Sequence, residues 1–460
     1  MRELDSFPIT RAMETICPSV IADLKANWND TLSSYIKQLW QKPISCVSPI
    51  ARQSRAKFYS TLKLFFGSQP IYFEHAFSEF DRYPILQTGP HCQLYTNEID
   101  FNAVLMSWIG SQLHQVKHMF ILNSITRTLQ WSKRQGPGWL NLKHDVINLF
   151  ALTPKQMSKL SVCSPYPGLT YCRDNFTQYL NQSNDFERKG IEKLLTSIEP
   201  KKYEGFIPAF TLANQNLLRQ CDHAQEIQPL ILNDHFTSLL VAEHLRDPDG
   251  VIYHLIFSTK QRSKLKHLAN LLMHEKNHVF LKQGTEYFWG VRNNKIRALR
   301  IEDNFLKEET NDISKQLKIP LAPQSICEAL VNGQLIPNIF LSFIVLCLMP
   351  QIRVLGGTRQ IAYLPLIQKI FSQLLNPDIL EEREFLQELL SNDLNAWGTN
   401  FIQDTSTPLE WLGRLPQGKE LSSLSTYYLD KSVAEITQEL AIFKEHPLWK
   451  HMKYTHLPVY

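Results

Sequence analysis

Glycine is scarce in this chain, and several features that would identify a protein class are missing. Only 17 of the 460 residues are glycine, which excludes collagen-like and low-complexity sequences. Basic and acidic residues nearly balance, 48 against 44, and the net charge is +4 without blocks of one sign. The chain therefore has neither a polybasic tail nor an acidic tail, and we expect no nucleic-acid partner.

Long apolar runs and paired cysteines are also missing. The most apolar segment, residues 339–349, is shorter than the roughly 20 residues of a membrane span and predicts a buried helix or strand. The N-terminal residues include acids where an export signal has an apolar run. None of the eight cysteines belongs to a Cys-x-x-Cys pair, which favours reduced thiols. We therefore expect a cytoplasmic protein without a membrane partner.

Enough apolar residues are present for a large core, because 43% of the chain is hydrophobic and 11% is aromatic. This length predicts two or three domains, or one large α/β unit with insertions. Residues 84–87 and 118–123 have strand-like sequences, and a helical pattern covers residues 98–113 between them. Strand, helix and strand in this order indicate a βαβ unit and a parallel sheet.

The rest of the chain extends this α/β pattern. Strands are predicted at 227–233 and 250–257, helices at 261–275 and 360–375, and a hairpin around Asn293 and Asn294. We predict a Rossmann-like, mainly parallel sheet with helices on both faces. Residues 1–375 would form this core, with N-terminal helices and a helical insertion at 174–225. Residues 376–460 would form a purely helical C-terminal subdomain.

The first candidate site is the turn from Gln87 to His91 (Gln-Thr-Gly-Pro-His), between a predicted strand and a predicted helix. Parallel sheets bind ligands at the carboxyl ends of their strands, and helix N-termini favour anions. His91 would donate to a phosphate or act as acid or base, because histidine titrates near neutrality. An ordinary turn with a solvent-exposed histidine is an equally weighted alternative.

The second candidate site is the turn from Leu355 to Tyr363 (Leu-Gly-Gly-Thr-Arg-Gln-Ile-Ala-Tyr). Gly356 and Gly357 would let a ligand approach the backbone, and Arg359 would pair with a carboxylate or phosphate. The segment lacks a full dinucleotide fingerprint, and the chain has no Walker motif. A turn that only redirects the chain is the alternative, but adjacent glycines in a glycine-poor chain favour function.

A third motif has the spacing of a zinc peptidase. His274, Glu275 and His278 would place two imidazoles on one face of a helix, with the glutamate as base. However, Asn277 is typical of a helix end, and residues 278–281 have a strand-like sequence. An accidental match is therefore the favoured interpretation, with zinc binding as the alternative.

The order of several segments resembles bacillithiol synthase, the family of cysteine-adding enzymes. The turn at 88–91 and the following Leu94-Tyr95-Thr96 are similar to the family's Thr-Gly-Gln-Gln turn and Leu-Tyr-Thr helix entry. The predicted hairpin at 289–300 resembles an Arg- and Gly-rich hairpin of the family. Residues 356–363 are similar to its Gly-Gly-Pro-Gly-Glu-Ile-Ala-Tyr motif, the most specific of these matches.

The resemblance covers roughly residues 80–375. It implies a nucleotide-binding core related to class I synthetases, with ATP or ADP as candidate cofactors, and a homodimer by analogy. It also implies an amide formed between an amino acid, with cysteine as the candidate, and an amine. The pocket positions that it implies are Thr88, Gly89, Gly356, Gly357 and Tyr363. Pro90, His91 and Gln360 depart from the family pattern, which leaves a changed substrate or a lost activity open.

Together these patterns predict a small-molecule ligase or condensing enzyme, in which the turns at 88–91 and 356–360 face each other. The predicted catalytic residues are His91 and Arg359. The predicted binding residues for substrate or nucleotide are Thr88, Gly89, Gly356, Gly357, Thr358, Gln360 and Tyr363. Two alternatives stay open, a zinc metallohydrolase that uses His274, Glu275 and His278, and a non-catalytic ligand-binding protein.

Overall fold

A computed structural model gives the fold of the chain. It describes residues 4–67, 70–96, 98–142, 145–180, 183–220, 227–274, 284–310, 316–398, 408–414, 428–440 and 443. The strands, in chain order, are β1 Ile85–Gln87, β2 His118–Asn123, β3 Trp139–Asn141, β4 Val146–Asn148, β5 Pro165–Leu169, β6 Tyr203–Gly205, β7 Gln228–Asn233, β8 Phe288–Arg292, β9 Lys295–Glu302, β10 Phe305–Glu308, β11 Lys318–Pro320, β12 Leu335–Pro337, β13 Arg353–Gly356 and β14 Asn395–Trp397.

Helices make up most of the remaining described chain. Their bounds are Pro8–Ile16, Pro18–Asn27, Leu32–Gln41, Pro49–Phe66, Pro70–Arg82, Glu98–Leu113, Pro154–Met157, Arg173–Leu180, Asp185–Ser197, Phe206–Gln220, Asp234–Leu245, Val251–Phe257, Thr259–His274, Pro323–Val331, Ile339–Phe343, Gln360–Leu374, Leu380–Ser391, Pro408–Arg414 and Val433–Ile436. Several begin with proline at the first turn, where the missing N–H is unneeded. The apolar run at 339–349 was predicted to be a buried helix or strand, and it is helical. It begins as the α-helix Ile339–Phe343 and continues as a π-helix over Ile344–Leu348.

A five-stranded parallel sheet lies at the centre, in the order β14-β13-β1-β2-β7. Successive residues of its inner strands enter two different hydrophobic cores. In β2, for example, Met119 and Ile121 pack into one core, and Phe120 and Leu122 pack into the other. Because strand side chains alternate between the two faces, the sheet is covered on both faces.

A second five-stranded sheet is antiparallel, in the order β11-β10-β9-β8-β12. Its hairpin β8–β9 was predicted from Asn293 and Asn294, and this prediction is confirmed. Both asparagines have positive φ, 50° and 59°, which asparagine tolerates better than most residues. The other strands of this sheet were not predicted. Besides these two five-stranded sheets, the described residues form two antiparallel two-stranded sheets, β3–β4 and β5–β6.

The predicted βαβ unit is confirmed. β1 and β2 pair in parallel, and the helix Glu98–Leu113 connects them. The predicted strand at 227–233 is confirmed as β7, which pairs with β2 over its whole length. The helical insertion holds the helices Arg173–Leu180, Asp185–Ser197 and Phe206–Gln220, but also the short strand β6.

Two predictions of secondary structure are wrong. Residues 250–257 were predicted as a strand, but Val251–Phe257 is a helix that begins after Gly250. Its buried residues Ile252, Leu255 and Ile256 have helical spacing, which a short apolar run conceals. The C-terminal region was predicted to be purely helical, but β14 pairs with β13 as an edge strand of the parallel sheet. Nothing in the structure tests the boundary at residue 375, which stays a prediction.

Across the ranges that the structure describes, no helix has both the length and the apolar character that a membrane crossing requires.

Candidate functional site

The two predicted turns lie side by side at the carboxyl edge of the parallel sheet. From β1 the chain continues to β2 and β7 on one side, and it returns to β13 on the other side of β1. The direction of strand addition therefore reverses between β1 and β13, which is where α/β sheets form ligand-binding crevices. Gln87 and Leu355 form the last residue pair between β1 and β13. Residues 88–91 follow the end of β1, and residues 357–359 follow the end of β13.

A buried polar network joins the two turns. The Thr88 hydroxyl donates to Gln360 Oε1 at 2.7 Å, and the Thr88 backbone N–H donates to the Leu355 carbonyl at 3.0 Å. Gln87 Nε2 donates to the same carbonyl at 3.1 Å, and the Ser107 hydroxyl donates to Gln87 Oε1 at 2.5 Å. These bonds fix the turns against each other, so Thr88 and Gln360, distant in sequence, belong to one site.

Gln360 lies directly over Gly356. The Gln360 side chain is buried, and a methyl group at Gly356 would collide with its amide. Gly356 is therefore needed for the close approach of Gln360. Gln360 Nε2 is buried and has no acceptor among the described residues. A buried donor of this kind is rare in native proteins, and it is one place where a ligand acceptor would be bound.

His91 lies close enough to two arginines, Arg127 and Arg359, for their charges to act on its imidazole. Burial, which has the largest effect, and the charges of Arg127 and Arg359 together lower the pKa of its imidazole to about 3. The free protein therefore holds His91 neutral at pH 7, which differs from the expected titration near neutrality. A neutral imidazole near two guanidinium groups can hydrogen-bond an anion that the arginines attract.

The second turn has both exposed and buried parts. Arg359 is exposed and occupies the N-cap position of the helix Gln360–Leu374, and the preceding Thr358 is buried. Tyr363, in the first turn of this helix, is partly buried, and its ring lies 5.4 Å from the ring of Phe343. Arg359 is therefore placed to contact a ligand from solvent, close to His91.

A third turn, which was not predicted from the sequence, runs from Ser124 to Arg127 at the end of β2. Its backbone pairs with the first turn, because Cys92 N–H donates to the Ser124 carbonyl at 2.9 Å. Asp234, which follows β7, holds it from the other side. Asp234 Oδ2 accepts from Ile125 N–H at 2.7 Å and from the Ser124 hydroxyl at 3.2 Å.

Burial raises the pKa of Asp234 to about 6, although the hydrogen bonds from the Ser124–Thr126 turn partly offset this effect. Asp234 is the first residue of the helix Asp234–Leu245 and lies next to the carboxyl end of β7. Ser124 and Asp234 each come within one or two residues of a correctly predicted strand end. Their position at a strand end is a signal that the sequence contains, as it is for the turns after β1 and β13.

The zinc motif is only partly described. His274 is the last residue of the helix Thr259–His274. Glu275 and His278, together with Asn277, lie outside the described residues, so the motif stays a prediction. Within the described part of the chain, no group of three or more His, Cys, Asp or Glu side chains is arranged to hold a metal ion.

Comparison with known proteins gives no family. No model of a protein family matches the chain, and no curated protein matches it significantly.

Proposed function

We propose that this protein is a small-molecule ligase or condensing enzyme that joins an amino acid to an amine, with cysteine as the first amino acid to test. The observation that carries the proposal is the contact between Thr88 and Gln360. The resemblance to bacillithiol synthase rests most strongly on the two turns that contain these residues. The contact puts both turns at the crevice where such a sheet would bind substrates.

The strand order supports the Rossmann-like part of the proposal. All five strands of the central sheet are parallel, and the order reverses next to β1. In such sheets, small molecules bind outside the carboxyl ends of the strands on either side of the reversal. A nucleotide, ATP or ADP, is the candidate for activating the acyl group.

The charged and polar groups of the edge suggest separate roles. Arg359 would anchor a carboxylate or phosphate, because it is exposed and next to His91. Neutral His91 would donate a hydrogen bond to the same anion. Gln360 would offer its buried Nε2 to a ligand oxygen after a small movement of the amide. Gly356 would act indirectly, by making room for Gln360.

The proposal is tested by product formation. The purified protein is incubated with ATP, isotope-labelled cysteine or another amino acid, and a panel of primary amines, and new amides are detected by mass spectrometry. Arg359→Ala should lower the yield at least about tenfold, because it removes a charge-assisted pair worth roughly 1.5–3 kcal/mol. Arg246→Ala should not, because Arg246 follows the far end of the helix Asp234–Leu245.

A non-catalytic ligand-binding protein is the second candidate. The low pKa of His91 favours it, because an imidazole with a pKa of about 3 is a weak general base at pH 7. In this case ligands would bind in an Arg359-dependent manner, but no amide would form with any amino acid and amine.

A further inference from the structure

We propose that a cavity beside the carboxyl edge binds the uncharged six-membered ring of a small phosphate ester, whose phosphate lies at Arg127 and His91. The inference rests on the anion site of the proposed function and names the kind of ligand that the site would take. Its cavity was not part of either predicted turn.

The cavity lies between the chain that follows the first turn and the segment around β3. Its volume is about 110 Å³. Its polar lining consists of amide and hydroxyl side chains and two indole rings, from Gln93, Thr96, Trp131, Gln135, Trp139 and Asn141. Of the residues that the structure describes, no Asp, Glu, Lys or Arg lines it. These residues offer no counter-charge to a charged group, whereas a neutral ring could stack on indole and hydrogen-bond to amides.

One residue connects the cavity to the anion site. The guanidinium carbon of Arg127 lies 5.4 Å from the centroid of the Trp131 ring, which borders the cavity. Arg127 is also close enough to His91 to lower the pKa of its imidazole. A ligand whose anionic group contacts Arg127 would thus have its neighbouring atoms at Trp131, at the mouth of the cavity.

The indoles are presented by a hydrogen-bonded loop. The backbone N–H of Trp131 donates to the Gln135 carbonyl at 3.1 Å, and the backbone N–H of Gly138 donates to the Leu129 carbonyl at 3.0 Å. Trp139 Nε1 donates to Gln130 Oε1 at 2.9 Å, which fixes the orientation of its ring. The Trp131 side chain remains 52% exposed, so part of its ring is accessible from solvent.

The volume limits the ring to about six members. A closed cavity of roughly 150 Å³ takes up a benzene molecule, so one of about 110 Å³ has room for no more than a single six-membered ring, part of which would extend into its open mouth. The ring could belong to a saccharide or to a planar heterocycle, because both combine a flat or apolar face with hydrogen-bonding edges. The two sources are separated by the probes of the experiment.

The test is isothermal titration of the protein with inorganic phosphate, glucose 6-phosphate and UMP, whose uracil is a single six-membered heterocycle. The measured quantity is the ratio of the affinity for each ring phosphate to the affinity for inorganic phosphate. At least one ratio should be about tenfold or greater, as expected for stacking of one ring on an aromatic side chain. The probe with the greater ratio identifies the ring as a saccharide or a heterocycle.

Two variants locate the effect. Trp131→Ala should bring the ratio to near one, because it removes the stacking surface, and it should fold because this side chain is half-exposed. Lys133→Ala is the matched control, an exposed residue of the same loop that does not line the cavity. Ratios near one in the unmodified protein, or a ratio that survives Trp131→Ala, would overturn the inference. If phosphate binding that depends on Arg359 persists in that case, the proposed function stands without the cavity.

Discussion

Gln360 is the residue on which the geometry of the candidate site depends most. Gly356→Ala would place a methyl group against the Gln360 amide, and overpacking of this kind lowers the free energy of unfolding by about 1–3 kcal/mol. The double variant Gly356→Ala/Gln360→Ala removes the collision and should recover much of that loss. Urea unfolding of the two single variants and the double variant measures the coupling. Additive losses would show that glycine at position 356 is needed for the local backbone conformation and not for the close approach of Gln360.

His91 gives the site a distinct pH dependence. Its folded pKa is about 3, against an ordinary value of 6.5, so the unfolded chain binds the proton more readily between these values. The contribution of His91 to stability is therefore complete above about pH 6.5 and is lost as the pH falls toward 3. As the pH is lowered from 7 to 5, the free energy of unfolding of His91→Gln should accordingly fall less than that of the unmodified protein. An NMR titration that finds the His91 pKa near 6.5 would contradict this account.

Among the elements, the helices Asp185–Ser197 and Pro408–Arg414 make an unusually close crossing. Gly190 faces the backbone carbonyl of Leu409, and Gly413 faces that of Phe186, so each glycine lies against the other helix. Gly190→Ala and Gly413→Ala should each destabilise the protein by about 1–3 kcal/mol, as thermal unfolding would measure. In an exposed helix the same change stabilises by up to about 1 kcal/mol. Lys189→Ala, at an exposed neighbouring position, is the control and should have little effect. A stabilising Gly190→Ala would show that the two helices do not pack this closely in solution.

The sequence predicted elements where local pattern decides them. The helix Glu98–Leu113 and the strand β2 have long, clear apolar patterns, and their predicted bounds agree with the structure. β14 has only three residues, and its pairing with β13 depends on contacts that no local pattern reports. The strand prediction for residues 250–257 was wrong because seven residues rich in apolar side chains suit a buried strand as well as a helix.

The candidate site was likewise predicted only in those parts that local sequence patterns mark. The turns at β1 and β13 each follow an apolar strand and contain glycine, so local sequence marks them. The contact of Asp234 with Ser124 joins residues separated by 110 positions, and the neighbourhood of Arg127 and His91 also depends on the folded sheet. Such contacts could be found only once the strand order was known.

For the whole molecule, one buried cation connects the sheet to distant parts of the chain. Arg353, the first residue of β13, is almost fully buried. Its guanidinium donates to the carbonyls of Leu39 at 2.7 Å and Lys42 at 3.2 Å, and to that of Asp393 at 3.0 Å. It thereby joins the end of an N-terminal helix and the approach to β14 at the amino edge of the sheet. The candidate site lies at the opposite, carboxyl edge of the same strands.

The central claim is that this carboxyl edge binds small molecules through Arg359. The most direct measurement is a thermal-unfolding panel of the unmodified protein, Arg359→Ala and Arg246→Ala with ATP, ADP, cysteine and other amino acids. A ligand at a hundred times its Kd stabilises the folded state by about 2.7 kcal/mol. The account predicts that a nucleotide or amino acid raises the Tm of the unmodified protein and of Arg246→Ala, but not that of Arg359→Ala. An equal rise in all three proteins, or none in any, would contradict it.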